Sequence, residues 1–337
     1  MELSLEACRQ IVEYTGRRAD VCSLCRVSKR FQYVAERALY NTLYMRHPDA
    51  TISLCDTLAR RPRLSSLVEA FTIYLYEEDD QDHRDQEEDE EDSRSDGADA
   101  KGAQSPLPER YWPSVARALR STHHLLYLNI HINSSENTSA SWILNDCTFQ
   151  LRTFHCDFQW DQALVSFLND QRRLADLYIV DYSDLDANTS VSPTPSHRMD
   201  ASSLPNLSTL ECTFTEAAGA LVPGRPVTRL KTCFSASGMS EKRAELSGLF
   251  SKISLSTRPF RALDIADSSY TEEFCMELLR AIVFAHAAAG ELHYLGTLVL
   301  PIGGRQVRVV PSPEISLNDD VFFLPSPPHT FFCCFLC

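Results

Sequence analysis

Glycine is scarce in this sequence, with 11 among 337 residues. Nucleotide-binding enzymes need a glycine-rich turn that leads into a helix, because backbone N–H groups there hold the phosphates. Neither G-x-x-x-x-G-K-[ST] nor G-x-G-x-x-G occurs, and the G-x-S-x-G turn of many hydrolases is also absent. An enzyme is therefore the function that we expect least, and we expect no cofactor.

Long apolar runs and clusters of basic residues are also absent. No stretch approaches the roughly 18 apolar residues of a membrane-spanning helix. Charged residues interrupt the early apolar runs where a signal peptide would lie. Phosphate-binding surfaces need clustered Lys and Arg, which this sequence lacks. We therefore expect an intracellular protein, cytoplasmic or nuclear, that binds neither membranes nor nucleic acid.

The 12 cysteines show no paired spacing. In a reducing compartment this pattern indicates small buried apolar side chains rather than disulfides. Cys22 and Cys25 form a single C-x-x-C, but neither a second pair nor a His-x-x-x-His follows it. We interpret both as helix-packing residues and predict no metal site.

The negative charge is concentrated in one segment. The chain has a net charge of −14, and the run from Glu77 to Asp99 holds fourteen acidic residues against two arginines. Such a run repels itself and has little apolar surface to bury, which predicts a disordered insertion over 77–108. A segment that binds basic proteins is the alternative. From 311 to 337 we expect an irregular tail rich in Pro, Cys and Phe.

The N-terminal segment has the spacing of amphipathic helices. Its apolar residues lie three or four apart in two groups, from Leu5 to Val12 and from Val21 to Val34. Thr15 and Gly16 separate the groups, and Asp20 is predicted to cap the second. About 40 such residues bury too little surface to fold alone. The segment must therefore pack on the rest of the chain or on a partner.

A short apolar motif recurs through the rest of the chain. The first of its eight copies runs from Leu64 to Ile73, and the middle residues of the others are 128, 154, 177, 210, 230, 263 and 295. Successive middle residues lie 20 to 33 apart. Leucine-rich repeats have periods of about 20 to 29 residues. The pattern therefore predicts short strands with helices between them, and the clearest helices are Val115–Arg120, Ala163–Asn169 and Thr271–Ala289. In the third of these, Ser269 and Glu272 would form a capping box and Gly290 would end the helix.

The first helices resemble an F-box, the short motif that gives F-box proteins their name. The matching residues are Leu3, Glu6, Ile11, Val12, Tyr14, Asp20, Val21, Leu24, Val27, Ser28, Lys29, Arg30 and Phe31. The segment from Ala35 to Tyr44 is similar to the continuation found in fungal F-box proteins. Ser4, Ala7 and Thr15 depart from the motif, which has Pro, Leu or Ile, and Leu at these positions.

This resemblance implies an α/β fold with an N-terminal three-helix F-box followed by an irregular leucine-rich-repeat-like solenoid of short parallel strands and helices. The F-box-like domain would occupy 1–45, a first strand region 46–76, and the main repeat region 109–310. The implied function is that of a non-catalytic substrate-recognition subunit of an SCF-type ubiquitin ligase. Its F-box would bind a Skp-type adaptor, and through it the cullin and RING subunits, while the repeats would bind an unidentified protein substrate.

The resemblance also implies which side chains bind the adaptor. These are Leu3, Leu5, Ile11, Val12, Val21, Leu24, Val27 and Phe31. Some of them could instead hold the two halves of the protein together, in which case Val27 and Phe31 would face the repeats. Three alternatives to the ligase subunit stay open: a repeat scaffold whose degenerate F-box serves only as a cap, an acidic-segment binder of basic proteins, and a plain α/β domain.

Overall fold

The computed structural model describes residues 3–75, 107–132, 138–180, 199–267, 271–285 and 292–296. The acidic run over 77–99, the tail over 311–337, and Ser269 and Gly290 of the predicted helix ends lie outside these residues. Within the described ranges the protein is α/β, with ten α-helices, one 3-10 helix and nine strands in one sheet.

Three short helices open the chain. They are α1 (Leu5–Glu13), α2 (Arg18–Leu24) and α3 (Lys29–Tyr40). There are three helices rather than two because Ser28 divides the second apolar group, its side chain accepting a hydrogen bond from the Phe31 N–H at 3.3 Å. The Ser4 side chain caps α1 in the same way. The prediction that Asp20 is an N-cap is wrong, since Asp20 lies within the first turn of α2.

The three helices have a small hydrophobic core of their own. Its buried members are Cys8, Val12, Val21, Phe31, Val34 and Ala35. The apolar residues spaced three or four apart on each helix converge here, which is why the segment forms helices rather than strands. We call α1, α2 and α3 together the helical bundle.

The nine strands form one parallel sheet in which each strand lies beside the one before it in sequence. They are β1 (Thr42–Met45), β2 (Ala70–Tyr74), β3 (Tyr127–His131), β4 (Thr153–Cys156), β5 (Asp176–Ile179), β6 (Thr209–Phe214), β7 (Arg229–Cys233), β8 (Ala262–Ala266) and β9 (Tyr294–Leu295). The sheet does not close, because β1 and β9 stand at opposite ends of this order. The arrangement is therefore solenoid-like.

The predicted strands are confirmed, since each of the eight motif copies overlaps one of the strands β2 to β9. The seven predicted middle residues pair directly across neighbouring strands, and the same register continues through Phe71 of β2 to Leu43 of β1. This central row has the order Leu43, Phe71, Leu128, Phe154, Leu177, Leu210, Leu230, Leu263 and Leu295. Eight of these nine belong to buried hydrophobic positions, and Leu295 packs against the same core. Strand β1 was not predicted.

Helices cover the face of the sheet that carries this row. They are α4 (Pro48–Arg60), α5 (Pro62–Ser65), α6 (Tyr111–Ser121), a 3-10 helix (Thr138–Leu144), α7 (Gln162–Asp170), α8 (Thr215–Leu221), α9 (Met239–Ile253) and α10 (Glu272–Ala285). Helices α6 and α7 confirm two of the three predictions, and α10 confirms the third as far as Ala285, where this described range ends. The predicted capping box is wrong, because Glu272 is the first residue of α10 and Thr271 caps the helix by accepting from the Phe274 N–H at 3.3 Å. Strands and helices share one continuous core.

The opposite face of the sheet has no helices on it in the described ranges. Side chains alternate along a strand, so the neighbours of each buried middle residue point to this other face. In β2, for example, Phe71 and Ile73 are buried whereas Ala70, Thr72 and Tyr74 are half-buried. We call this side the open face.

Candidate binding surfaces

The helical bundle exposes apolar side chains at positions of the predicted adaptor site. Leu3, Leu5, Ile11 and Val27 are 50, 38, 41 and 64% exposed. Tyr14 and Tyr33 are exposed as well, so the bundle holds six of the eleven exposed large apolar side chains of the described residues. Apolar surface gathered in so short a segment is typical of a contact site for another protein. We call Leu3, Leu5, Ile11 and Val27 the bundle surface.

The other predicted site residues lie inside the bundle. Val12, Val21 and Phe31 are buried, and Leu24 is half-buried against the same core. These four stabilise the bundle, and the first three have no surface to offer to a partner in this conformation. The alternative role for Val27 and Phe31 also differs from the structure, since Val27 is exposed and Phe31 packs within the bundle rather than on the repeats.

A side chain–backbone hydrogen bond joins the segment before α1 to the first turn of α3. Arg30, in the first turn of α3, donates from Nη1 to the carbonyl oxygen of Leu3 at 2.7 Å. This bond holds the segment before α1 beside the start of α3, which follows directly after Val27. Residues of the bundle surface that are far apart in sequence are thereby brought to the same end of α3.

Polar contacts fix α3 to the start of the sheet. Arg63 of α5 donates from both Nη1 and Nη2 to the Glu36 carboxylate, and Gln32 donates to it as well. The Arg63 hydrogen bond, the largest influence, lowers the pKa of Glu36. Arg37 pairs with Glu69 at 3.0 Å. The bundle is therefore attached to the first repeat by charged groups as well as by the chain itself.

The open face carries an uninterrupted series of rings across β1 to β5. Its members are Tyr44, Tyr74, His131, Tyr178, His155 and Tyr127, in order of contact, and we call them the ring patch. Successive ring centroids lie 5.7, 5.3, 5.5, 5.7 and 5.9 Å apart. Tyr74 and His131 are stacked, with 13° between their planes. Aromatic pairs at these separations attract one another beyond their shared burial.

Asn129 lies beneath this patch. It is only 5% exposed, and its Nδ2 donates to the hydroxyl oxygens of Tyr74 and Tyr127 at 3.0 and 3.2 Å. Its Oδ1 is buried and has no hydrogen-bond partner among the residues described. Turning the amide over would exchange the roles of its two ends and would leave Nδ2 without a partner instead. In either orientation one polar atom of this buried amide lacks a partner among the described residues.

Charged side chains continue the open face from β6 to β8. Glu211, Lys231 and Asp264 share one row of the sheet, and Lys231 donates to Glu211 at 2.5 Å. This hydrogen bond raises the pKa of Lys231. Burial raises the pKa of Asp264, while the nearby Lys231 charge acts in the opposite direction. The open face thus has an aromatic half and a charged half.

The described residues contain no group of three His, Cys, Asp or Glu side chains able to hold a metal ion. Nine described cysteines are free thiols. The interpretation of Cys22 as a helix-packing residue is wrong, since it is exposed, whereas Cys25 is half-buried against the bundle core as expected. Burial raises the pKa of Cys55, Cys147 and Cys212 to about 12, so these thiols stay protonated at neutral pH. Across the described ranges no helix is long and apolar enough to cross a membrane.

No protein-family model matches this chain, and no curated protein matches it. The functional argument therefore depends on the two surfaces. Sequence reasoning identified the bundle surface and missed the ring patch. A signal was present for four of the six rings, because Tyr127, His131, His155 and Tyr178 occur one or three positions from a middle residue of the motif.

Proposed function

We propose that this protein is a non-catalytic substrate-recognition subunit of an intracellular SCF-type ubiquitin ligase. In this proposal the helical bundle is an F-box that binds a Skp-type adaptor, and the sheet with its helices is a leucine-rich-repeat-like solenoid that binds the substrate. The main support is that a separately packed three-helix bundle exposes apolar side chains at four of the eight predicted adaptor-binding positions.

The bundle surface can supply the apolar part of such a contact. Each Val, Leu or Ile side chain that becomes fully buried contributes roughly 1.5 to 3 kcal/mol. Leu3, Leu5, Ile11 and Val27 already lose part of their surface in the free protein, and association costs several kcal/mol in lost freedom. Four partly exposed apolar residues can therefore support a specific contact. A charged side chain substituted within the bundle surface would disrupt it.

The first experiment is capture of the full chain by a purified Skp-type adaptor. We expect Ile11→Asp to reduce capture at least tenfold, because burying an uncompensated carboxylate opposes binding. Ile11 is 41% exposed, so the variant should retain the circular dichroism spectrum and the unfolding midpoint of the wild type. Leu255→Asp is the matched control, since Leu255 is 55% exposed on the loop after α9. Equal capture of both variants would contradict the proposed role of the bundle.

A second candidate is a repeat scaffold in which the bundle only caps the first strand. Its support is that Val12, Val21 and Phe31 serve the bundle core, and that Arg63 and Glu69 hold α3 against the repeats. Exposed ends of solenoids need such caps. Failure of the wild-type chain to bind any Skp-type adaptor, with its fold intact, would favour this candidate.

A further inference from the structure

We propose that the ring patch binds an arginine side chain presented by an extended segment of a partner protein. Calling this partner the substrate depends on the proposed ligase function, whereas the arginine-binding site does not depend on it. The occupant is inferred from three features of the patch: its tyrosine rings, its surrounding carboxylates and the hydroxyl and carboxylate oxygens beside the rings.

The ring faces favour a cation. The π-systems of Tyr rings are negative at their faces and attract ammonium and guanidinium groups within about 6 Å of the ring centre. One such contact already exists at the edge of the patch, where the Arg46 guanidinium lies 5.1 Å from the Tyr44 ring centroid and donates to its hydroxyl at 3.0 Å. Further tyrosine rings lie on the same face, Tyr74 one strand and Tyr178 four strands from β1, which Arg46 follows.

Carboxylates next to the patch favour the same charge. Asp176 Oδ1 lies 3.7 Å from His155 Nε2, and the charge of Asp157 acts on both His131 and Tyr178. Glu211 acts on Tyr178 from the other side. A nucleic acid could stack its bases on the same rings, but these carboxylates would repel its phosphates.

Hydrogen-bonding geometry favours a guanidinium over an ammonium ion. Guanidinium carries five N–H donors in a planar fork and no acceptor, so it can both stack on a ring and donate to a neighbouring oxygen. Such oxygens lie beside the rings: the Tyr74 and Tyr127 hydroxyls, to which Asn129 Nδ2 donates at 3.0 and 3.2 Å, and the Asp176 carboxylate beside His155. An arginine can therefore stack on a ring and donate to one of these oxygens at the same time, whereas the compact ammonium group of a lysine has no planar face to stack.

The dimensions of the patch suit an extended segment. The rings span five neighbouring strands, which at about 4.8 Å per strand corresponds to roughly 19 Å. An extended chain covers about 3.3 Å per residue, so around six residues would cross the patch. Burial lowers the pKa of His131, which keeps its ring uncharged at neutral pH and compatible with a neighbouring cation.

The test is fluorescence anisotropy with the full chain and labelled nonapeptides of Ala and Gly that carry three Arg, three Lys or three Glu, together with a labelled oligothymidylate. We expect the Arg peptide to bind at least fivefold more tightly than the Lys peptide, with no binding of the Glu peptide or the oligonucleotide. Tyr178→Leu should weaken Arg-peptide binding at least fivefold. Tyr294→Leu is the control, because Tyr294 is an exposed tyrosine on β9, four strands away from Tyr178 in the same sheet.

Unchanged binding by Tyr178→Leu would overturn the proposal, and would show that any attraction comes from the acidic run, which both variants retain. Preferential binding of the oligonucleotide or of the Glu peptide would overturn it as well. If the adaptor does not capture the chain but the Arg peptide binds in a Tyr178-dependent way, the ligase function is refuted and this inference is retained. Adaptor capture without a peptide site would refute this inference alone.

Discussion

Arg225 is a buried arginine that joins two segments of the repeat region. It is 3% exposed, and its guanidinium donates to the carbonyl oxygens of Ser203 and Asp200, each at 3.0 Å. It also donates to the carbonyl oxygen of Leu221 at 3.0 Å, at the end of α8, where helix carbonyls lack partners of their own. Burial lowers the pKa of Arg225. The side chain thus satisfies backbone groups that would otherwise be buried without donors.

Replacement of Arg225 should therefore destabilise the protein. We predict that Arg225→Met lowers the free energy of unfolding by roughly 3 kcal/mol, because several buried carbonyl oxygens lose a charged donor. Urea denaturation monitored by circular dichroism measures the change. Arg117→Met is the control: Arg117 pairs with Asp56 but its side chain is 58% exposed, so a loss below about 1 kcal/mol is expected. Equal losses in the two variants would contradict this role for Arg225.

His131 should make stability depend on pH. Burial lowers the pKa of His131 below the ordinary histidine value of 6.5, with Asp157 opposing this shift and His155 adding to it. Protonation is therefore less favourable in the folded than in the unfolded state. The resulting stability is complete above pH 6.5 and is lost as the pH falls through the pKa of the folded protein. Tyr74 and Tyr178 are the rings in contact with His131.

The prediction is a difference between two proteins. From pH 7 to pH 5, the wild type should lose more free energy of unfolding than His131→Gln, since the remaining histidines and carboxylates are common to both. Urea titrations at half-unit pH intervals would measure the two slopes. Parallel curves for the wild type and the variant would show that His131 does not titrate differently on folding.

Among the secondary-structure elements, α3 connects the bundle to the repeats. Glu36 accepts from both terminal nitrogens of Arg63 in α5, although the Arg63 side chain is 62% exposed and that of Glu36 only 12%. Solvent screening weakens such a pair, but the two-nitrogen geometry makes it more favourable than an ordinary surface contact.

A double-mutant cycle of Glu36→Ala and Arg63→Ala measures this connection. We predict a coupling free energy of about 1 kcal/mol from chemical unfolding. The matched cycle uses Glu6 and Arg9 of α1, which pair at 3.4 Å with side chains 68 and 56% exposed, and should couple by less than about 0.5 kcal/mol. Equal coupling in both cycles would mean that the α3 pair adds nothing beyond surface charge.

Sequence predicted the strands better than the helix ends. A residue such as Leu177 is flanked by residues of alternating burial, so its place in the central row follows from a period of two. Strand β1 was missed because Leu43 lies directly after a helical pattern and has no motif copy of its own. Asp20 was misassigned because a good capping residue is equally acceptable within the first turn, and only the backbone of Arg17 decides where α2 begins.

For the whole molecule, the order of elements was predictable but the functional surfaces only partly so. The F-box-like motif located the bundle surface in the sequence. Only the packed bundle shows that Ile11 and Val27 are exposed whereas Val12 and Phe31 are buried. The ring patch joins Tyr44 to Tyr178, residues more than a hundred positions apart, through the register of five strands. Sequence periodicity places each ring on a face but does not give its neighbour on the next strand.

The most direct test of the central claim is the affinity of the full chain for a purified Skp-type adaptor, measured by calorimetry at 50 mM and 500 mM salt. An apolar contact through the bundle surface predicts a one-to-one complex whose Kd changes less than about threefold between the two conditions, because screening acts on charges and not on apolar burial. Absence of a complex, or one that dissociates at high salt, would contradict the claim that this bundle is an F-box.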